Sequence, residues 1–247
     1  MTEVVVFGAG GLGCLVLDTL LQTEQYRPIA FLDSDSHKHG TSVDGLTVCG
    51  GMEQIPMLRR DGVRAAIVAI GDNHTRVRIA ELLRRAGMRL ASAVHPLASI
   101  APSARLGGHL IVGPRAMICV HASIADHCVL SAGSIVEHDN RLGTGVFLHP
   151  AVRLAGGVEV DESATLGIGA CVIPDRKVGR AARVEAGAIV IRDVLPGTTV
   201  SGAPAARLDI GESRFVPERP PPAPASPPDP AKNEHAPRHS LATHKPG

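Results

Sequence analysis

Residues 100–190 read IAPSARLGGHLIVGPRAMICVHASIADHCVLSAGSIVEHDNRLGTGVFLHPAVRLAGGVEVDESATLGIGACVIPDRKVGRAARVEAGAIV, and every sixth position from Ile100 to Val190 is Ile, Leu or Val. The series passes through Ile118, Val136, Leu154 and Val172 without a polar residue. Four positions after most of these stands a small or β-branched side chain, such as Ala116, Ala122, Ser134, Val152 or Ala170. Leu110, Cys128, Asn140 and Arg176 depart from that pattern.

A period of six fits neither an amphipathic helix nor an isolated hairpin. It is the signature of a parallel β-helix, in which short strands wind round a triangular prism with the large aliphatic inside and the small residue beside a corner. Three hexads make one coil, so residues eighteen apart stack at about 4.8 Å, and five coils form a column about 25 Å tall. Such a narrow interior takes Val, Ile and Leu better than rings, in keeping with a chain of 247 residues that has no Trp, one Tyr and four Phe.

Ahead of the column the pattern changes. The strand Glu3 to Phe7 runs into Gly8-Ala9-Gly10-Gly11-Leu12-Gly13 and a helix carrying Leu15, Leu17, Leu20 and Leu21. Further strands at 29–32, 65–70 and 90–94 alternate with helices near 52–60 and 75–86, which gives a small parallel α/β sheet. Ligands of such sheets bind beyond the carboxyl ends of the strands, where the glycine-rich turn, Asp33 and Gly71-Asp72-Asn73 meet. Glycines let backbone amides approach a phosphate at a helix N-terminus, and an acidic residue about twenty positions on accepts hydrogen bonds from a ribose or base. The α/β region, under 100 residues, is short for a full dinucleotide site, which argues against an NAD-dependent oxidoreductase. His95-Pro96 marks the expected boundary. The domains are therefore 1–95, Rossmann-like; 96–208, β-helix; and 209–247, a tail with ten of the nineteen prolines, expected to be disordered.

With 25 Lys and Arg against 24 Asp and Glu, neither a nucleic-acid surface nor a polybasic membrane anchor is expected. Five scattered cysteines without a CxxC pair suit a reducing compartment. No apolar run reaches membrane-spanning length and no leader pattern opens the chain, so a cytoplasmic protein is expected.

Within the column, adjacent His138 and Asp139 stand in the turn half of a hexad, where side chains point outward. That pairing suggests a general base whose basicity a carboxylate raises. His109 and His127, eighteen apart, stack on adjacent coils; a solvated ladder is expected there rather than a metal or anion site between subunits.

The segments Val136-Glu137-His138-Asp139, Leu154-Ala155-Gly156, Leu166 to Ala170 and Val200 to Ala205 resemble left-handed β-helix sugar acetyltransferases. With GAGG, FLD and AIGDN in the first domain, residues 3 to 208 resemble more closely the sugar-nucleotide acetyltransferases that include the bacillosamine-pathway N-acetyltransferase and the sialic acid O-acetyltransferase. The resemblance implies a homotrimer of left-handed β-helices that binds a nucleotide-sugar on the α/β domain and acetyl-CoA between neighbouring β-helices. It implies His138 as the base, Asp139 as its partner, and the Gly156 amide as the group that holds the thioester carbonyl. Phe147, Ile168 and Ala186 match positions of the CoA site, and Gly10, Gly11, Leu12, Asp33, Ser34 and Gly71 match nucleotide-sugar positions. No metal and no covalent enzyme intermediate are implied, and the setting is surface-glycan synthesis. Two positions depart: many members have His where this chain has Leu12 and Phe147. Those losses motivate an alternative, a non-catalytic nucleotide-sugar scaffold or sensor on the same fold.

Overall fold

The computed structural model describes residues 1–207, so the expected tail at 209–247 lies outside the described residues. Strand β1, Thr2–Phe7, lies between β2, Tyr26–Leu32, and the strand Ala65–Val68, with Arg89–Leu90 at the far edge; all the pairings are parallel. Parallel strands need cover on both faces, and the apolar runs here receive it. Val4 and Val6 pack with Val16, Leu17 and Leu20 of helix α1, Gly11–Leu21, while Val5 and Phe7 pack with residues of α2, Ile55–Arg60, and α3, Asn73–Arg85. Gly13 lets α1 press on the strand, since a Cβ there would collide with the Gly8 carbonyl.

The β-helix has three sheets of mostly two-residue parallel strands. Sheet I contains Ile111–Val112, Val129–Leu130, Phe147–Leu148 and Thr165–Leu166 and ends in an antiparallel pair, Thr199–Ser201 with Ala206–Arg207; sheet II contains Met117–Ile118, Ile135–Val136, Arg153–Leu154 and Cys171–Val172; sheet III contains Ser123–Ile124, Arg141–Leu142 and Glu159–Val160. Partners are eighteen residues apart, as Ile135 with Arg153. The second residue of each pair points inward, and Val112, Leu130, Val136, Leu148, Leu154 and Leu166 are fully buried. Each corner turns through a left-handed residue that recurs every six positions, Asp139 at φ 59° and Gly157 at φ 71° among them. Asn140, which broke the small-residue pattern, is buried and accepts from the Val158 amide at 2.6 Å.

Two expectations change. The segment 90–94 is not one strand: Leu90 pairs with the α/β sheet, whereas Ala93–Val94 pairs with Ile111–Val112 in sheet I. The β-helix register therefore begins at Val94, continues past Val190 through Val194 and Val200, and gives about six turns rather than five. Pro96 does not interrupt it. That proline stands eighteen residues before Pro114, at the same corner position, where the backbone N–H has no ladder partner to lose.

The second change concerns His109 and His127, which are not a solvated ladder. His109 is 2% exposed; its Nε2 accepts from the Val68 amide at 2.8 Å, and its Nδ1 lies 2.8 Å from Nδ1 of His127. They sit beneath the α/β unit because the corner joining sheets III and I is covered by the end of Ala65–Val68 and by α3. Arg76 of α3, fully buried, completes this junction. Its guanidinium donates to the carbonyls of Ile70 (2.9 Å), Gly145 (2.9 Å) and His127 (3.1 Å) and to Asn73 Oδ1 (2.7 Å). Burial lowers its pKa to about 10, so it remains a cation, held by carbonyl dipoles rather than a carboxylate.

Candidate active site

His138 and Asp139 occupy the corner between sheets II and III, immediately after Ile135–Val136. The left-handed conformation of Asp139 turns its carboxylate back toward its neighbour, and His138 Nδ1 lies 2.8 Å from Asp139 Oδ2. A carboxylate only accepts, so Nδ1 carries the proton and Nε2 keeps its lone pair. One coil on, Gly156 stacks directly beneath. A Cβ at Gly156 would overlap Cε1 and Nε2 of the imidazole, so the absence of a side chain is what lets the ring lie there. The coils are joined at this corner by Gly157 N–H donating to the His138 carbonyl at 3.0 Å. The Gly156 N–H donates to no acceptor among the described residues. The arrangement offers an exposed, oriented base and a free amide donor on adjacent coils.

Ile168 and Ala186 lie one above the other at a different corner, between sheets I and II, and both are exposed. Sheet II separates them from His138 within one chain. That sheet and its two flanking corners carry the exposed apolar residues Met117, Val120, Ile168, Ile173, Ile189 and Ile191.

Phe147 does not join the His138 corner. It is 8% exposed on sheet I, packed with Ile111 and Val129 against the α/β core, stacked on His149 at 4.3 Å and 5.5 Å from the Arg76 guanidinium carbon. Leu12 is likewise partly buried against that core. Both residues that depart from histidine thus lie against the α/β core.

In the α/β unit the glycine-rich turn, Asp33, Ser34 and Gly71 gather at the carboxyl edge of the sheet. Gly10, Gly11 and Gly71 are exposed and face open space. Asp33 ties the edge together: Oδ2 accepts from the Ala9 amide (2.8 Å) and Lys38 Nζ (2.9 Å), and Oδ1 from the Asp35 amide (2.9 Å). Burial alone would raise its pKa; the hydrogen bonds from Lys38, Asp35 and Ala9 outweigh that and hold the carboxyl below its ordinary value. Lys38 was not anticipated, and neither was Arg76. The latter stood at a core position of an amphipathic helix, in phase with Ala80 and Leu83, and a cation there was the legible signal.

The PglD N-terminal domain family matches residues 3–83. The GDP-perosamine N-acetyltransferase of Escherichia coli O157:H7 is 26% identical over 213 residues, covering 82% of this chain and 95% of that protein. PerB from Caulobacter crescentus, solved in complex with CoA and GDP-perosamine, superposes with a TM-score of 0.80 at 37% identity, covering 84% of this chain and 98% of that one. The acyl-[acyl-carrier-protein]–UDP-N-acetylglucosamine O-acyltransferase of Alkalilimnicola ehrlichii is 40% identical over 79 residues, and this chain spans 31% of its length.

Proposed function

The chain belongs to the hexapeptide-repeat β-helix family of sugar acetyltransferases, and on that premise we propose that it transfers the acetyl group of acetyl-CoA to an amine on a sugar linked to a nucleoside diphosphate. The observation that carries this reading is the His138–Asp139 pair lying over Gly156. In the proposed step, His138 Nε2 takes a proton from the amine as its nitrogen attacks the thioester carbonyl. The new C–N bond forms, the oxygen gains charge and is met by the Gly156 amide, and the C–S bond then breaks. The proton passes from His138 to the departing thiolate. Asp139 holds the imidazole in the required tautomer throughout.

Gly10, Gly11, Ser34, Gly71 and the edge organised by Asp33 hold the nucleotide, with Leu12 bordering it. Ile168 and Ala186 line the CoA channel, and Phe147, being packed against the α/β core, makes no contact with CoA in this reading. The exposed apolar sheet II supports a homotrimer: a closed ring with sheet II toward the axis brings the Ile168 corner of one subunit to the His138 corner of the next. A cytoplasmic location and a role in surface-glycan synthesis complete the proposal.

The test is release of free thiol from acetyl-CoA with GDP-, UDP- and CMP-linked amino sugars. Release should depend on one acceptor and fall by about 10²-fold or more in His138→Ala, while light scattering still reports a trimer. Near-normal turnover by the variant would remove His138 from the mechanism. A wild-type protein that binds a nucleotide-sugar yet never consumes the thioester would favour the scaffold.

A further inference from the structure

Sheet III presents a row of outward residues on successive coils, Arg105, Ser123, Arg141, Glu159 and Lys177. A groove of about 790 Å³ follows this row from Arg105 to Glu159, and its wall also includes His121, Thr144 and Arg180. Charge is divided along it. In the C-terminal half, Lys177 lies 3.3 Å from Asp161 and 3.7 Å from Glu159, and Arg180 lies 2.7 Å from Glu162, so each carboxylate has its cation. In the N-terminal half, Arg105 and Arg141 form no ion pair, and neither guanidinium donates to a protein acceptor, among the described residues.

Two coils separate Arg105 from Arg141, about 10 Å at the backbone. Between them stands the short Ser123, which leaves a notch flanked by two planar, permanently charged forks and floored by a hydroxyl. Paired guanidinium groups of this kind match adjacent phosphates, each taking one in bidentate fashion. The notch also leads to the catalytic corner. Arg141 follows Asp139 by two residues, and His121 stands one coil before Asp139 at the same left-handed corner position. A ligand gripped by the two arginines would extend from there toward His138.

We propose that Arg105, Ser123 and Arg141 form a diphosphate-binding subsite serving one of the two co-substrates. Acetyl-CoA and a nucleotide-sugar both contain a diphosphate, so that chemistry is common to both. Identifying the ligand as a co-substrate rests on the acetyltransferase reading; the affinity for a diphosphate does not.

Calorimetric titration of the full chain with inorganic pyrophosphate, CoA, GDP and UDP tests the proposal. The proteins are wild type, Arg105→Ala/Arg141→Ala and Arg105→Lys/Arg141→Lys. Both positions altered carry exposed side chains, and thermal melting checks that each protein stays folded. The alanine pair should weaken pyrophosphate, and either CoA or the nucleoside diphosphates, by about tenfold or more, with the lysine pair between the two. Guanosine and pantetheine, which lack the diphosphate, should bind alike to all three. A loss confined to CoA assigns the groove to the acetyl donor, and one confined to GDP or UDP assigns it to the acceptor. The proposal is overturned if the alanine pair binds every ligand within about twofold of wild type, or if wild type binds none. If wild type neither binds CoA nor releases thiol while its pyrophosphate affinity still depends on the arginines, the groove stands and the acetyltransferase reading falls.

Discussion

Acidification from pH 7 to pH 5 should destabilise this protein through His109, a residue distant from the proposed chemistry. Its Nε2 accepts from the Val68 amide, so the neutral ring carries its proton on Nδ1 and donates it to Nδ1 of His127. A second proton would have to sit on Nε2, facing an N–H. Burial, reinforced by the charges of His127 and Arg76, lowers the pKa from 6.5 to about 3. The unfolded chain therefore takes up this proton near pH 6.5, whereas the folded chain resists it until about pH 3. Stability is complete above the unfolded value and falls with pH through the window between the two. At pH 5 the window has been entered by about 1.5 pH units, a loss of about 2 kcal/mol from this group alone. His127 and His149, both lowered chiefly by burial, add to the loss in the same direction. The depressed carboxyls of Asp33, Asp72 and Glu81 act only as pH falls through and below the ordinary carboxylate range, so the interval from 7 to 5 isolates the histidines. Urea denaturation at fixed protein concentration and pH 7, 6 and 5 measures the slope. In His109→Gln, whose side-chain oxygen can still accept from Val68, the loss should shrink by about 2 kcal/mol. Equal slopes for the two proteins would refute the assignment.

Three further perturbations probe other parts of the fold. Gly156→Ala should leave the melting temperature within a few degrees of wild type, because the methyl meets only an exposed imidazole; by expelling that ring it should lower kcat by about 10²-fold or more, read by the thiol-release assay. Arg76→Met should destabilise by about 3–5 kcal/mol, since it strips donors from the Ile70, His127 and Gly145 carbonyls at once, and equilibrium denaturation measures the loss. Leu148→Ala, at a fully buried rung of the column, should cost about 2–5 kcal/mol by the same measurement without moving the nucleotide affinity.

The six-residue repeat was legible because a β-helix is a local structure repeated: each coil needs one large aliphatic inside and one tight corner, so Ile118, Val136 and Leu154 report the register without any knowledge of distant contacts. The same regularity made His138 conspicuous as an outward residue and placed Gly156 one coil below it. Where the repeat began was harder to read. Val94 satisfies both an α/β strand and a β-helix rung, and only its pairing with Val112 decides between them.

Sequence by itself determined the coil, the glycine-rich turn at Gly8 to Gly13, and the placing of His138, Asp139 and Gly156 together, since each depends on neighbours one residue or one coil away. Tertiary structure alone decided the fate of residues at the seam. His109, His127 and Phe147 look like surface groups on their own coils, and they become buried, or half-buried for His127, because the α/β unit lies on sheet I and its corner. That seam joins residues such as Val68 and His109, 41 positions apart. No period within either element records which of its faces the other will cover; shape and hydrogen-bond complementarity between the folded units supplies that information.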